Sequence, residues 1–279
     1  MQVEFSKYDY KKSRNRMDSI LNNDSEEIIL KENKFPLESL LTFTNIITST
    51  VDIIAIDIRK STELSEALAK NRIKKLTKIY RVYISEVTAV MKGNLNIERI
   101  YIEGDGVWAV FKSVKNTNNI PRVFDTASQI SAIVETMNVK LRDMNYPFIE
   151  VGIGIETGKT YYAKAGYKGV GINAEVWVGN IVNKAFKLCS FANKNKIKEI
   201  VVSENVYVKL DEKQQKNLKK YKKENIFHGA VISEQMYKEW LKHNSSSYLS
   251  CKSKKTNYCY IPTVENHRKR KWWKLWLGY

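Results

Sequence analysis

The sequence predicts an α+β fold in which an antiparallel sheet is covered by helices on one face, in the order βαββαβ. Three observations predict it. Val51–Ile56 is a compact, mostly apolar run rich in β-branched residues, the signature of a buried strand. Glu103-Gly104-Asp105-Gly106 separates two further apolar runs, Ile97–Ile102 and Val107–Phe111, as a hairpin turn does. Between and after these lie two long stretches with helical spacing of apolar residues.

Element by element, residues 1–45 are polar and charged, with a short helical piece near Met17–Leu21 and a break at Pro36, and read as an N-terminal extension. After the first strand, Ser61 or Thr62 can cap a helix. Its apolar positions Leu64, Leu68, Leu76, Ile79, Tyr83, Val87 and Val90 keep roughly helical spacing up to Gly93. A second helix spans about Arg122 to Met144, followed by a strand at Ile149–Ile155 that Thr160–Lys164 pairs with across Gly158. A glycine-containing loop, Gly166–Asn173, leads to a helix at Asn180–Ala192 and a strand at Glu199–Val202. Past Lys223 the pattern weakens, so the expected division is 1–45 extension, 46–223 catalytic-type domain and 224–279 basic, Trp-rich extension.

Composition narrows the chemistry. With 279 residues, 43% hydrophobic and 28% charged, the chain has the make-up of a globular protein. No apolar run approaches the ~20 residues that span a bilayer, and Met1-Gln2-Val3-Glu4 lacks a signal-peptide pattern. Cys189, Cys251 and Cys259 are sparse and lack metal-ligand spacing, which fits a reducing cytoplasm. A formal charge of +17 draws polyanions, but charge alone does not choose among nucleotides, nucleic acid and anionic membrane. All three histidines, His228, His243 and His267, lie beyond residue 225, which disfavours imidazole-based triads and zinc sites in the main domain.

Chemistry in residues 50–210 is left to carboxylates, amides, lysines and tyrosines. Asp57 ends the first strand and Asp105 sits in the hairpin turn, so a sheet can bring them together. Two such charges at ~4 Å repel by roughly 4 kcal/mol at an effective dielectric of ~20. A cation between them removes that penalty, and oxygen ligands suit hard ions of the Mg²⁺ or Mn²⁺ type that carry phosphates.

At Ile56-Asp57-Ile58-Arg59-Lys60-Ser61-Thr62, Tyr101–Phe111, Val151–Gly158 and Val178–Lys187, in that order, the chain resembles the class III nucleotidyl cyclase homology domain over roughly Val51–Tyr207. The resemblance implies a ferredoxin-like βαββαβ core. It also implies two Mn²⁺ or Mg²⁺ ions per site, held by Asp57, Asp105 and the main chain of Ile58. By the same resemblance Asn183 orients the ribose and Lys187 stands where the family uses an arginine against the phosphate; the two are four apart and share a helix face. Lysine brings the charge without the planar fork. In the family these two residues act on the metals of the opposite subunit, which implies a head-to-tail homodimer with two composite active sites.

Base recognition departs from the purine cyclases. Their base-reading lysine or glutamate, four residues before the second aspartate, is Tyr101 here, and their second position falls near Val176 with Glu175 beside it. Alternation places Arg99, Tyr101 and Glu103 on one face of the hairpin with Asp105, where Tyr101 and Arg99 could stack on and hydrogen-bond a smaller base. The combination resembles the stand-alone pyrimidine cyclases of bacterial antiphage (Pycsar-type) systems. It implies UTP as substrate, or CTP, and a cyclic nucleotide read by a separate effector. Competing readings are a degenerate domain that only binds nucleotide, which Lys187 favours, and nucleic-acid binding through the positive charge, for which no specific motif is present. Arg59 or Lys60 could help hold phosphate, the lysines of 216–223 read as a solvated helix face, and the basic, indole-rich stretch 267–276 suits an anionic membrane, a dimer contact or disorder.

Overall fold

The computed structural model describes residues 7–30, 35–69, 73–113, 118–167, 172–243 and 258–259. In chain order the N-terminal part forms α1 (Tyr10–Leu21), β1 (Glu26–Ile29), β2 (Asn45–Ile58), α2 (Ser61–Ala69), α3 (Ile73–Lys92), β3 (Ile97–Glu103), β4 (Gly106–Lys112) and α4 (Ile120–Asp143). There follow β5 (Val151–Tyr167), β6 (Ile172–Val178), α5 (Asn180–Phe191), β7 (Ile200–Ser203), α6 (Glu204–Tyr207), α7 (Glu212–Lys216), β8 (Lys219–Tyr221), β9 (Ile226–Gly229), β10 (Ile232–Ser233) and α8 (Glu234–His243). The main sheet runs β3-β4-β2-β5-β7-β9-β8, with β1 added to β2 and β6 to β5. It is mostly antiparallel; β1–β2 and β5–β7 are parallel.

The mixed α+β architecture is as expected, but helices cover both faces of the sheet rather than one. Ile53, Ile54, Ala55 and Ile56 of β2 are all fully buried, so this central strand is apolar on both sides and each side needs a cover. Ile54, Ile56 and Ile58 pack with Leu76, Ile79, Tyr83 and Val87 of α3 and Val123, Ala127 and Ile130 of α4. Val51, Ile53 and Ala55 pack with Ile181, Ala185 and Cys189 of α5. Each fully buried Ile, Val or Leu contributes about 1.5–3 kcal/mol of transfer free energy, so neither layer is dispensable.

Four local expectations are corrected. The helix after β2 is two helices. Ser65 Oγ and Tyr80 OH lie 3.4 Å apart, although fifteen residues of one straight helix would span about 22 Å. Its start is Lys60, whose carbonyl accepts from Leu64 N–H at 3.0 Å and whose φ is +58°, so Ser61 and Thr62 lie inside the helix rather than capping it. Thr160–Lys164 does not fold back on Ile149–Ile155. Val151–Ile155 and Thr160–Lys164 both belong to the 17-residue β5, which pairs with β2 from Ile46↔Ala163 to Ile58↔Val151 and turns back only into β6. The lysines of 216–223 are not one helix face: α7 ends at Lys216, and Lys219–Tyr221 is the edge strand β8, whose exposed lysines guard an unpaired edge.

The sheet also continues past 223, because β9 pairs with both β7 and β8, and α8 packs beyond it. Part of the expected loop Gly166–Asn173 and all of the basic stretch 267–276 lie outside the described residues. No helix among the described residues is long and apolar enough to cross a membrane.

Candidate active site

β2 and the β3–β4 hairpin bring the two aspartates together. Ile56 pairs with Val107 and Glu103 with Gly106, leaving Gly104 and Asp105 as a two-residue turn level with Asp57. Gly104 takes φ +64°, a conformation that favours glycine at the first turn position of primed hairpins. Asp57 Oδ1 lies 4.0 Å from where a Cβ at Gly106 would stand, beside the turn and close enough for Asp105 to act on its carboxyl. Burial, and then the charge of Asp105, push the Asp57 carboxyl above its ordinary value of 3.8, while Arg59 pulls the other way. Asp105 Oδ2 is buried without a hydrogen-bond partner. Ile58 is 2% exposed with its side chain in the α3–α4 layer, so only its main chain is available to this site.

Arg59 is not offered to solvent phosphate. Its side chain is 8% exposed and its Nη2 donates to Asp57 Oδ2 at 2.8 Å. Lys60 points outward and meets Glu63 at 3.9 Å.

A second cluster forms around Tyr101. Its ring stacks on Trp108 at 4.1 Å and 16°, its hydroxyl donates to Glu175 Oε2 at 3.3 Å, and it accepts from Trp177 Nε1 at 2.8 Å. Arg99 Nε lies 3.7 Å from the same Glu175 oxygen. Tyr162 tilts against Trp177 at 4.4 Å, and Trp108 Nε1 donates to Glu103 at 3.2 Å. Burial is the main reason the Tyr101 phenol is pushed up to about 12, so it donates at physiological pH. Arg99 and Tyr101 thus converge as their alternation predicts, on Glu175 and Trp177 rather than on Val176. The β6 register explains why: Trp177 faces Tyr162 and Glu175 follows by alternation, whereas Val176 takes the other side. Sequence reasoning missed Trp108, Trp177 and Tyr162; the alternating Glu175-Val176-Trp177 run was the available signal.

Asn183 and Lys187 are both exposed on α5, whose buried residues are Ile181, Ala185, Leu188 and Cys189. Lys187 lies with Lys184, Glu156 and Phe191 along a cavity of about 310 Å³. Among the described residues of one chain, no hydrogen bond or ion pair joins Asn183 or Lys187 to either aspartate.

A match to the family described as the adenylate and guanylate cyclase catalytic domain spans residues 46–242. The chain belongs to this family. Its members, the class III cyclases, are nucleotide cyclases that use divalent metal ions. A protein named uridylate cyclase from Treponema porcinum is 35% identical over 206 residues, covering 74% of this chain and 70% of its own length. Another of that name, from Gulbenkiania mobilis, is 34% identical over 212 residues, covering 74% and 81%. Among solved structures, the adenylyl cyclase CyaB from P. aeruginosa superposes with a TM-score of 0.51 at 20% identity, covering 59% of this chain and 81% of that one. A class III adenylyl cyclase-like ATP-binding protein from Pseudomonas aeruginosa gives 0.57 at 17%, covering 90% and 56%. At such identities the two structures speak for the fold.

The metal these cyclases use has a fitting donor set here. Two carboxylates that repel each other, one with a buried oxygen lacking any partner, are what a hard cation would satisfy. No group of three or more His, Cys, Asp and Glu ligands occurs among the described residues, so the remaining coordination positions fall to main chain, water and substrate phosphate.

Proposed function

We propose that this class III cyclase is a pyrimidine nucleotide cyclase that converts UTP to 3′,5′-cyclic UMP and pyrophosphate. The observation that carries the reading is the meeting of Asp57 and Asp105 with an unpartnered carboxylate oxygen between strand and turn. The two relatives named uridylate cyclase support the base, as does the Arg99–Tyr101–Glu175 cluster at the positions where purine cyclases carry their base readers.

In this mechanism Asp57, Asp105 and the Ile58 carbonyl would hold two Mn²⁺ or Mg²⁺ ions. When bound, the ions supply positive charge that neutralises the triphosphate and acidifies the ribose hydroxyl. The 3′-oxygen attacks the α-phosphorus in line and loses its proton to solvent. The bond to the β-phosphate oxygen breaks, releasing pyrophosphate. Positioning and charge neutralisation supply most of the rate. Asn183 of the second copy orients the ribose, and its Lys187 places a cation against the phosphate. Tyr101 stacks on the pyrimidine while Arg99, steered by Glu175, hydrogen-bonds its edge. The exposure of Asn183 and Lys187, neither bonded to an aspartate of its own chain among the described residues, supports a head-to-tail homodimer with composite sites. The cyclic nucleotide then serves as a second messenger to a separate effector, in the manner of bacterial antiphage signalling.

Incubating the purified protein with each of the four NTPs and Mn²⁺, with products identified by mass spectrometry, tests this. Cyclic UMP as the main product is expected; cyclic CMP instead would move the base assignment. Pyrophosphate release without any cyclic product would overturn it. Lys187 in the arginine position favours one second reading, a nucleotide-binding regulator without turnover. Nucleotide binding without product in the same assay would select it.

A further inference from the structure

The guanidinium of Arg59 sits in a mould. Its Nη2 donates to Asp57 Oδ2 at 2.8 Å and to Cys189 Sγ on α5 at 3.5 Å. A Cβ at Gly152 would come within 2.9 Å of Arg59 Cζ and 2.7 Å of the Cys189 carbonyl, so glycine there makes the space. The Cys189 thiol in turn donates to the Gly152 carbonyl at 3.2 Å. The side chain is 8% exposed and its Nε is buried without a partner. A cation this buried and incompletely hydrogen-bonded is retained at high cost unless a concentrated negative charge faces it. The charge it faces is the Asp57–Asp105 pair.

We infer that Arg59 is a positioning residue and fixed counter-charge for the metal site. It holds the Asp57 carboxylate in place, offsets the carboxylate repulsion before a metal arrives, and so lowers the affinity of the pair for divalent cations. The inference rests on the proposal that Asp57 and Asp105 hold metal. An immobile positive charge 2.8 Å from a carboxylate oxygen that would hold the dication would repel that ion and weaken its binding about tenfold. The guanidinium cannot leave easily, because β5 and α5 wall it in. Metal binding therefore completes the charge balance only when substrate phosphates add their own negative charge.

The test uses the full chain and Mn²⁺ alone. Free Mn²⁺ is counted by electron paramagnetic resonance, and melting temperature is followed across the same titration, for wild type, Arg59→Met, Arg59→Lys and Asp57→Asn. Arg59→Met is expected to melt lower without added metal, to bind Mn²⁺ about tenfold more tightly, and to gain more from saturating Mn²⁺ than wild type does. Arg59→Lys, which keeps the charge, is expected to retain wild-type affinity. Equal melting losses with and without Mn²⁺, at unchanged affinity, would reduce Arg59 to a packing role and overturn the inference. Weaker binding in Arg59→Met, or tenfold tighter binding in Arg59→Lys, would overturn it too. Should Asp57→Asn bind Mn²⁺ as wild type does, the metal assignment itself falls, and this inference with it.

Discussion

Asp57 and Asp105 are acids that water would keep apart and a strand and a turn force together. The raised Asp57 carboxyl means that the folded chain holds this proton more tightly than the unfolded chain. Its contribution to stability is therefore fully present below the unfolded value and is lost as pH rises through the folded one. Removing the neighbouring charge relieves the strain: Asp105→Asn is expected to stabilise the protein without added metal by about 1 kcal/mol. The same change should abolish Mn²⁺ protection in thermal melts and lower turnover by about 10²–10³. Buried His228 gives the opposite pH dependence. Burial foremost, with Lys198 and Lys219, lowers it from 6.5, and its Nδ1 accepts from the Lys198 N–H at 3.1 Å. Stability present above pH 6.5 should be lost as pH falls through the lowered folded value, measured by denaturant unfolding. His228→Asn, which keeps an acceptor without the titration, should flatten that window. At this scale both aspartates were legible, because a carboxylate at a strand end and another in a tight turn have few places to go. Glu175 and Trp177 were only half legible, since which face of β6 meets Tyr101 depends on a register that no local pattern fixes.

Among the elements, the hairpin and α5 set the site. Gly104 has open space where a side chain would stand but a φ of +64°, so Gly104→Ala is expected to cost about 1–2 kcal/mol through backbone conformation alone and to impair Mn²⁺ binding by shifting Asp105. At Gly154 the problem is space instead. A methyl there would meet the Ala185 carbonyl and the Cys189 backbone of α5. Gly154→Ala should lift α5 from the sheet, lowering stability by about 3 kcal/mol in chemical denaturation. Strands were found where apolar residues cluster, and their ends were not. Asn45–Thr50 is polar enough to read as a loop and Thr160–Lys164 reads as a separate, returning strand, yet each continues a longer strand because β1, β2, β5 and β6 satisfy one another's backbone groups. Likewise Lys219–Tyr221 is strand only because β9 lies beside it.

For the whole molecule, the decisive matter is that Asn183 and Lys187 stand exposed on α5 with no hydrogen bond or ion pair to either aspartate among the described residues. If two copies share their sites head to tail, Asp57→Ala and Asn183→Ala proteins should each be inactive alone. Mixed in equal amounts and allowed to exchange, they should recover about a quarter of wild-type turnover, because half the dimers then hold one intact site of two. No recovery after proven subunit exchange would place both residues in one chain's site. Specific activity should also fall on dilution through the dimer dissociation constant, measured alongside sedimentation.

Local order alone determined the buried run of β2, the β3–β4 hairpin and its turn that presents Asp105, the helices α4 and α5, and the absence of histidine from residues 50–210, because periodicity, turn residues and absent residue types are properties of short stretches. Tertiary structure decided that helices cover both faces of the sheet, that Glu175 rather than Val176 meets Tyr101, and that Arg59 turns inward onto Asp57. Each of these depends on which distant strand supplies a neighbour, and pairing free energy is shared between partners that a single stretch of chain does not contain.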